Sequence, residues 1–187
     1  MSNQRPLRFL QISDVHVDSR LTHSRLSLPA EKRKARIAEI NNLVPKAMAL
    51  VKERGIEAVL VPGDLWDAET VTPKSIHALV EAFESVAPTP VFIAPGNHDF
   101  CSPLSMYSRT TQAARGMKLW SDNVVIFNKP EFTSVHHPHR EDVVITGRAF
   151  LENVRTTERL LGRQIERPEA TINILLFHGS LEGYARE

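Results

Sequence analysis

The most informative segment of the sequence is VFIAPGNHD at residues 91–99, and AVLVPGD at residues 58–64 repeats its pattern. In both stretches a short apolar run ends at a Pro-Gly pair, and metal-ligand residue types follow directly. Proline ends a strand because it cannot donate to the ladder, and glycine permits a tight turn and close backbone approach. Each stretch is therefore predicted to be a strand that presents polar side chains at its carboxyl end.

Helical periodicity surrounds these strands in the first half of the chain. Residues 7–12 form another predicted strand, and apolar positions at helical spacing predict a helix over residues 30–54. Pro45 lies inside this pattern and should kink or break the helix near it. Thr72 and Pro73 match an N-cap and a first helical residue, so a second helix should begin there. Strands alternating with helices predict an α/β layered fold.

The pattern changes beyond residue 120. Three short apolar runs separated by turns predict an antiparallel meander, at residues 124–127, 132–135 and 143–146. Residues 152–167 are a weaker helix candidate because Gly162 interrupts them, and residues 172–177 are a strong predicted strand.

The length of 187 residues indicates one domain, or one domain and a fragment of a second, and a content of 42% hydrophobic and 24% charged residues is typical of a soluble globular protein. The net charge of +1 excludes binding of nucleic acid through bulk charge, so any contact with DNA must be local. Cys101 is the single cysteine, which excludes an internal disulfide and fits a reducing compartment. No apolar run reaches the ~18 residues of a membrane span, and the N-terminus lacks a signal peptide. We expect a cytoplasmic protein without membrane contact.

Metal-ligand residue types lie after four of the predicted strands: Asp14, His16, Asp64, Asn97, His98, Asp99 and His178. In open α/β sheets, ligands bind outside the carboxyl ends of the strands. Each motif alone is weak, but four in order, each behind its own apolar strand, are hard to obtain by chance. The sequence therefore predicts a metal site at one edge of the sheet.

This donor set of carboxylates, imidazoles and an amide suits Mn²⁺, Fe or Zn²⁺. A shared carboxylate can hold two ions about 3.5–4 Å apart, where they activate water and bind a phosphoryl oxygen. Asp64 is the expected bridge because its strand lies between the others. We expect His98 to face the substrate and protonate the leaving oxygen, with Asp99 holding the other ring nitrogen of His98.

The motifs Asp14-x-His16, Gly63-Asp64, Gly96-Asn97-His98-Asp99 and the later His178 resemble the calcineurin-like metallophosphoesterases. Within that superfamily the chain is similar to the SbcD-like DNA repair nucleases, mainly in Leu65-Trp66-Asp67 and His178-Gly179-Ser180. The resemblance implies a two-layer β sandwich flanked by helices that is often dimeric. It also implies Mn²⁺-dependent action on DNA ends alongside an SbcC-like coiled-coil ATPase. Mg²⁺ is a further candidate for the metal, besides Fe and Zn²⁺.

The resemblance also implies a role for each motif residue. Asp14 and His16 would bind the first metal ion, and Asp64 would bridge to the second. Asn97 and His178 would bind the second ion. The two residues after Asn97 would be the catalytic histidine and its acidic partner.

One departure from the family pattern concerns the end of the chain. Family members carry a further Gly-His-x-His, and this sequence ends at Glu187 before any such motif. Each metal would then lack one ligand. We therefore expect residues 1–187 to be the nuclease domain of a longer protein, truncated before its last strands and without its capping domain.

Two other functions remain open. A phosphodiesterase or phosphatase for small substrates would use the same metal core without an extended DNA groove. A catalytically deficient fragment would only bind DNA or a partner. Hydrolysis of small substrates without salt-sensitive DNA binding would favour the first, and partner binding by a metal-free protein would favour the second.

Several conspicuous residues have a structural interpretation. The segment His136-His137-Pro138-His139 is predicted to be a solvated hairpin loop rather than a metal site. Trp66 is expected to pack beneath the site, and Cys101 is read as structural. A helical stripe of arginines would grip phosphates or form a salt-bridged solvent face, at positions Arg155, Arg159, Arg163 and Arg167.

Overall fold

The computed structural model describes residues 5–22, 28–153, 161 and 165–180. In this part of the chain the strands are β1 (Phe9–Gln11), β2 (Ala58–Val61), β3 (Val91–Ile93), β4 (Val124–Ile126), β5 (Thr133–His137), β6 (Arg140–Gly147) and β7 (Ile172–Leu176). The helices are α1 (Ala30–Asn41), α2 (Leu43–Glu53), α3 (Pro73–Glu84) and α4 (Arg109–Ala114). None of these helices is long and apolar enough to cross a bilayer.

The first sheet is entirely parallel, in the order β1-β2-β3-β4. Every residue of β2 and β3 is buried, as expected for strands covered on both faces. The expectation that residues 124–127 belong to an antiparallel meander is wrong, because β4 pairs parallel with β3. The connection between them is long enough to carry α4 across, which a parallel pair requires.

The second sheet has the order β5-β6-β7, with β5 antiparallel to β6 and β7 parallel to it. The two sheets share a core that includes Leu60 and Phe92 from the first sheet and Val143, Ile145 and Leu176 from the second. The opposite face of the first sheet packs against α2 and α3. The predicted two-layer β sandwich flanked by helices is confirmed.

The helix predicted over residues 30–54 is broken in two at Asn42, as the proline in its pattern suggested. Pro45 lies in the first turn of α2, where its missing N–H needs no partner within the helix. Thr72 caps α3 by accepting a hydrogen bond from the Ser75 amide at 3.2 Å, as predicted. Helix α4 is short and has no strong periodicity, and the sequence did not indicate it.

The predicted hairpin at His136-His137-Pro138-His139 is present, but its description as solvated is wrong for His137. That side chain is buried at the end of β5. Its Nε2 donates to the Glu57 carbonyl at 2.9 Å, and its Nδ1 accepts from the His139 amide at 3.1 Å. This pattern requires a neutral ring, and burial lowers the pKa of His137 below its ordinary 6.5.

We predict that His137 makes folding sensitive to mild acid. Because its pKa is lowered in the folded state, the unfolded chain binds more protons below about pH 6.5, and stability falls as the pH falls. His137→Gln should reduce this loss, which is at most about 1.4 kcal/mol per pH unit for one group. Urea unfolding at pH 7.5, 6.5 and 5.5 measures it, with His136→Gln at an exposed neighbour as control. An identical pH dependence in wild type and His137→Gln would contradict the prediction.

Candidate metal centre

The candidate ligands lie after the strands that the sequence indicated, but these strands belong to two sheets. Asp14 and His16 follow β1, while Asp64, Asn97 and His178 follow β2, β3 and β7. The expectation of a single sheet edge is therefore corrected, since β7 lies in the second sheet. Both sheets contribute to one site, and β2 lies between β1 and β3 as expected.

Backbone pairing continues past the ends of β1 and β2 and holds their loops together. The Asp14 amide donates to the Gly63 carbonyl at 3.2 Å, and the His16 amide to the Asp64 carbonyl at 3.1 Å. Asp14, His16 and Asp64 have positive φ values of 53°, 51° and 54°. Such a conformation is unfavourable for residues with a side chain and often marks a functional site. Three of the five non-glycine residues with positive φ in the described part of the chain are therefore candidate ligands, and the other two are Asp18 and Leu21.

The carboxylate of Asp64 lies at the centre of the site and is only 3% exposed. Its Oδ2 is 3.3 Å from His178 Nε2 and 3.7 Å from His16 Nε2. Its Oδ1 accepts a hydrogen bond from the His98 amide at 3.1 Å. One carboxylate oxygen is thus approached by imidazoles from two different sheets.

The Nδ1 atoms of His16 and His178 also have hydrogen-bond partners. His178 Nδ1 donates to the Pro62 carbonyl at 3.1 Å, and His16 Nδ1 pairs with Asp67 Oδ1 at 2.8 Å. A carbonyl only accepts, so the proton of a neutral His178 is on Nδ1 and its Nε2 has a free lone pair. This arrangement is typical of metal-binding histidines, whose second nitrogen is fixed by an outer partner.

The two Pro-Gly turns approach each other closely, as the motif predicted. A Cβ added at Gly96 would overlap Asp64 Oδ1 and lie 3.0 Å from His178 Cγ. A Cβ at Gly63 would lie 2.7 Å from the Gly96 amide nitrogen. Glycine is therefore required at both positions for the strand-end loops to meet.

These residues fit a divalent metal. Ligand atoms of Asp14, His16 and Asp64 all lie within 4.8 Å of one another. Asn97 is half-buried in the loop after β3, next to the amide that binds Asp64. Carboxylate and imidazole donors without a thiolate suit first-row divalent ions.

The structure corrects the expected partner of His98. Its Nδ1 lies 3.0 Å from Asp67 Oδ1, the same oxygen that pairs with His16, and not beside Asp99. The His98 side chain is 44% exposed, so its ring faces solvent at the mouth of the site. Sequence reasoning missed the role of Asp67. Its position three residues after Asp64, within the same loop, was the available signal.

Asp99 instead joins the loops after β2 and β3 through hydrogen bonds to their backbone amides. It is 1% exposed and its carboxylate accepts four hydrogen bonds. Three come from the amides of Asp64, Leu65 and Gly96 at 3.0, 2.9 and 2.7 Å, and one from the Tyr107 hydroxyl at 2.7 Å. Burial raises the pKa of the Asp99 carboxyl. Burial and the neighbouring Asp99 carboxylate raise the pKa of the Tyr107 hydroxyl, which therefore remains a hydrogen-bond donor.

The remaining sequence predictions near the site have mixed outcomes. Trp66 packs in the core against Tyr107 and Trp120, as expected for a residue beneath the site. Burial raises the pKa of the Cys101 thiol, which agrees with a structural interpretation. The predicted helix over 152–167 and its arginine stripe lie mostly outside the described residues. The described part of the stripe is Arg167, which is exposed and not helical.

We predict that Asp99→Asn destabilises the fold without removing a metal ligand. The amide group would direct an N–H toward existing donors, leaving buried groups unsatisfied at a cost of about 1–3 kcal/mol. Urea unfolding at pH 7 measures this loss, with Asp122→Asn at an exposed position as the matched control. Equal stability of Asp99→Asn and wild type would show that these hydrogen bonds do not support the loops.

Comparison with known proteins assigns the family. No curated protein sequence matches the chain. The family model for calcineurin-like phosphoesterases matches residues 7–187, which include every candidate ligand described above. Members of that family bind divalent metal ions and hydrolyse phosphoesters. The chain belongs to the calcineurin-like phosphoesterase family.

Proposed function

We propose that the chain is a two-metal phosphodiester hydrolase that acts on DNA, with Mn²⁺ as its metal. The observation that carries the proposal is the central carboxylate, Asp64, whose Oδ2 lies 3.7 Å from His16 Nε2 and 3.3 Å from His178 Nε2. In this proposal Asp14 and His16 hold one ion, and Asn97 and His178 hold the other. Asp64 is shared between them.

Bound ions of this kind polarise a phosphoryl oxygen and lower the pKa of a bound water. The side chains of the protein orient the imidazole rings and donate a proton. Asp67 Oδ1 orients both the His16 and the His98 ring through their Nδ1 atoms. With the Asp67 carboxylate at Nδ1, a protonated His98 carries its second proton on Nε2 and can donate that proton to the leaving oxygen, a role worth about 10²–10⁴ in rate.

The choice of DNA as substrate is supported by motif similarity and by access. Leu65-Trp66-Asp67 and His178-Gly179-Ser180 are similar to the SbcD-like nucleases. Asp14 and His98 are exposed, so the mouth of the site is open to a polymer. By the same similarity we propose an SbcC-like ATPase partner, a homodimer and a cytoplasmic location.

We predict different defects for Asp64→Ala and His98→Ala. Loss of the shared carboxylate should abolish both Mn²⁺ binding and cleavage of linear duplex DNA. Loss of the proposed proton donor should lower cleavage by about 10²-fold or more with metal binding retained. Calorimetric Mn²⁺ titration and a gel assay measure the two effects, with exposed Asp122→Ala and His77→Ala as controls.

Two results would contradict the proposal. Equal loss of metal in Asp64→Ala and His98→Ala would overturn the separation of roles. Hydrolysis of cyclic nucleotides or nucleotide monoesters, combined with no salt-sensitive DNA binding, would replace the nuclease with an enzyme for small substrates.

A further inference from the structure

An arginine is held between two aromatic rings beside the metal centre. The Cζ of Arg148 lies 5.8 Å from the ring centre of Phe132 and 5.9 Å from that of Phe150. All three side chains are half-buried. At these distances the rings attract the guanidinium through cation–π interaction and restrict its movement. The two rings therefore favour this position of the charge.

This arginine is connected directly to the candidate ligands. Arg148 follows Gly147, the last residue of β6, which pairs with Leu176 at the end of β7. His178 lies two residues beyond that pair. The Phe150 ring contacts the His178 ring edge to face, with centroids 6.1 Å apart. Arg148 and His178 thus leave the same end of the second sheet, with one aromatic ring between them.

The hydrogen-bonding capacity of Arg148 is incompletely used. Its Nε is buried and has no hydrogen-bond partner within the part of the chain that the structure describes. A buried unsatisfied donor is costly, and a guanidinium presents its donors in a planar fork that matches phosphate oxygens. A structural role alone would be served as well by an apolar side chain between the two rings. A cation kept here at this cost favours an anionic ligand.

We infer that Arg148 binds a second phosphate of the substrate, adjacent to the one that is hydrolysed. This inference rests on the proposed phosphodiester substrate, in which neighbouring phosphates follow the scissile one along the strand. In the proposed function, the scissile phosphate would be bound at the metal centre. Arg148 is separated from His178 by the Phe150 ring and would contact the next phosphate. It would thereby select polynucleotides over small diesters.

Arg148→Met tests the inference because methionine keeps contact with both rings and removes the charge and the unsatisfied donor. The kinetic probes are two thymidine oligomers, TpT with one phosphate and TpTpT with two. The variant should lose about tenfold or more in kcat/KM for TpTpT and stay within about twofold of wild type for TpT. Arg36→Met on the exposed α1 is the matched control.

A metal-free measurement separates this inference from the proposed function. In EDTA, fluorescein-labelled octathymidylate should bind wild type and Arg36→Met equally, and bind Arg148→Met about tenfold more weakly. Arg148→Lys should recover part of the binding, because the charge remains and the fork is lost. Equal binding by Arg148→Met and wild type, or equal losses on TpT and TpTpT, would overturn the inference. Inactivity toward both oligomers with the binding difference intact would overturn only the proposed nuclease.

Discussion

The site depends on one buried carboxylate that is not itself placed to touch a metal. Asp99 accepts amide hydrogen bonds from the loop after β2, at Asp64 and Leu65, and from the loop after β3, at Gly96. The Tyr107 hydroxyl satisfies its remaining capacity. Burying a charge is costly unless it is hydrogen-bonded, and these four donors offset that cost. They also fix the relative position of two loops that carry most of the candidate chemistry.

That anchorage allows strain to persist in the ligands. A positive φ at a residue with a side chain costs about 1–3 kcal/mol, and Asp14, His16 and Asp64 all adopt one. The fully buried strands β2 and β3 lie directly beneath and provide a rigid base for the loops. The apolar core thus stabilises a backbone conformation at the ligands that is locally unfavourable.

Local sequence was sufficient to predict the strands, the Pro-Gly turns and the positions of the ligand types, since each depends on neighbouring residues. It was insufficient where tertiary contacts decide. The parallel pairing of β4 depends on the path of residues 94–123, and the pairing of His98 with Asp67 depends on how two loops meet. The burial of His137 follows from its contact with Glu57, far away in the chain. Polarity alone wrongly placed that residue in solvent.

The assembly of the site from two sheets has a mechanical consequence. Gly147 ends β6 so close to the Phe127 ring that an added Cβ would lie 2.5 Å from it, which fixes the spacing of the sheets at this end. The 3.3 Å approach of His178 to Asp64 therefore depends on sheet packing as well as on the Pro-Gly turns. Arg148 and His178 follow the ends of adjacent strands, so a shift of the second sheet would move both together. A metal held between Asp64 and His178 would then also fix the distance between the reacting centre and the arginine.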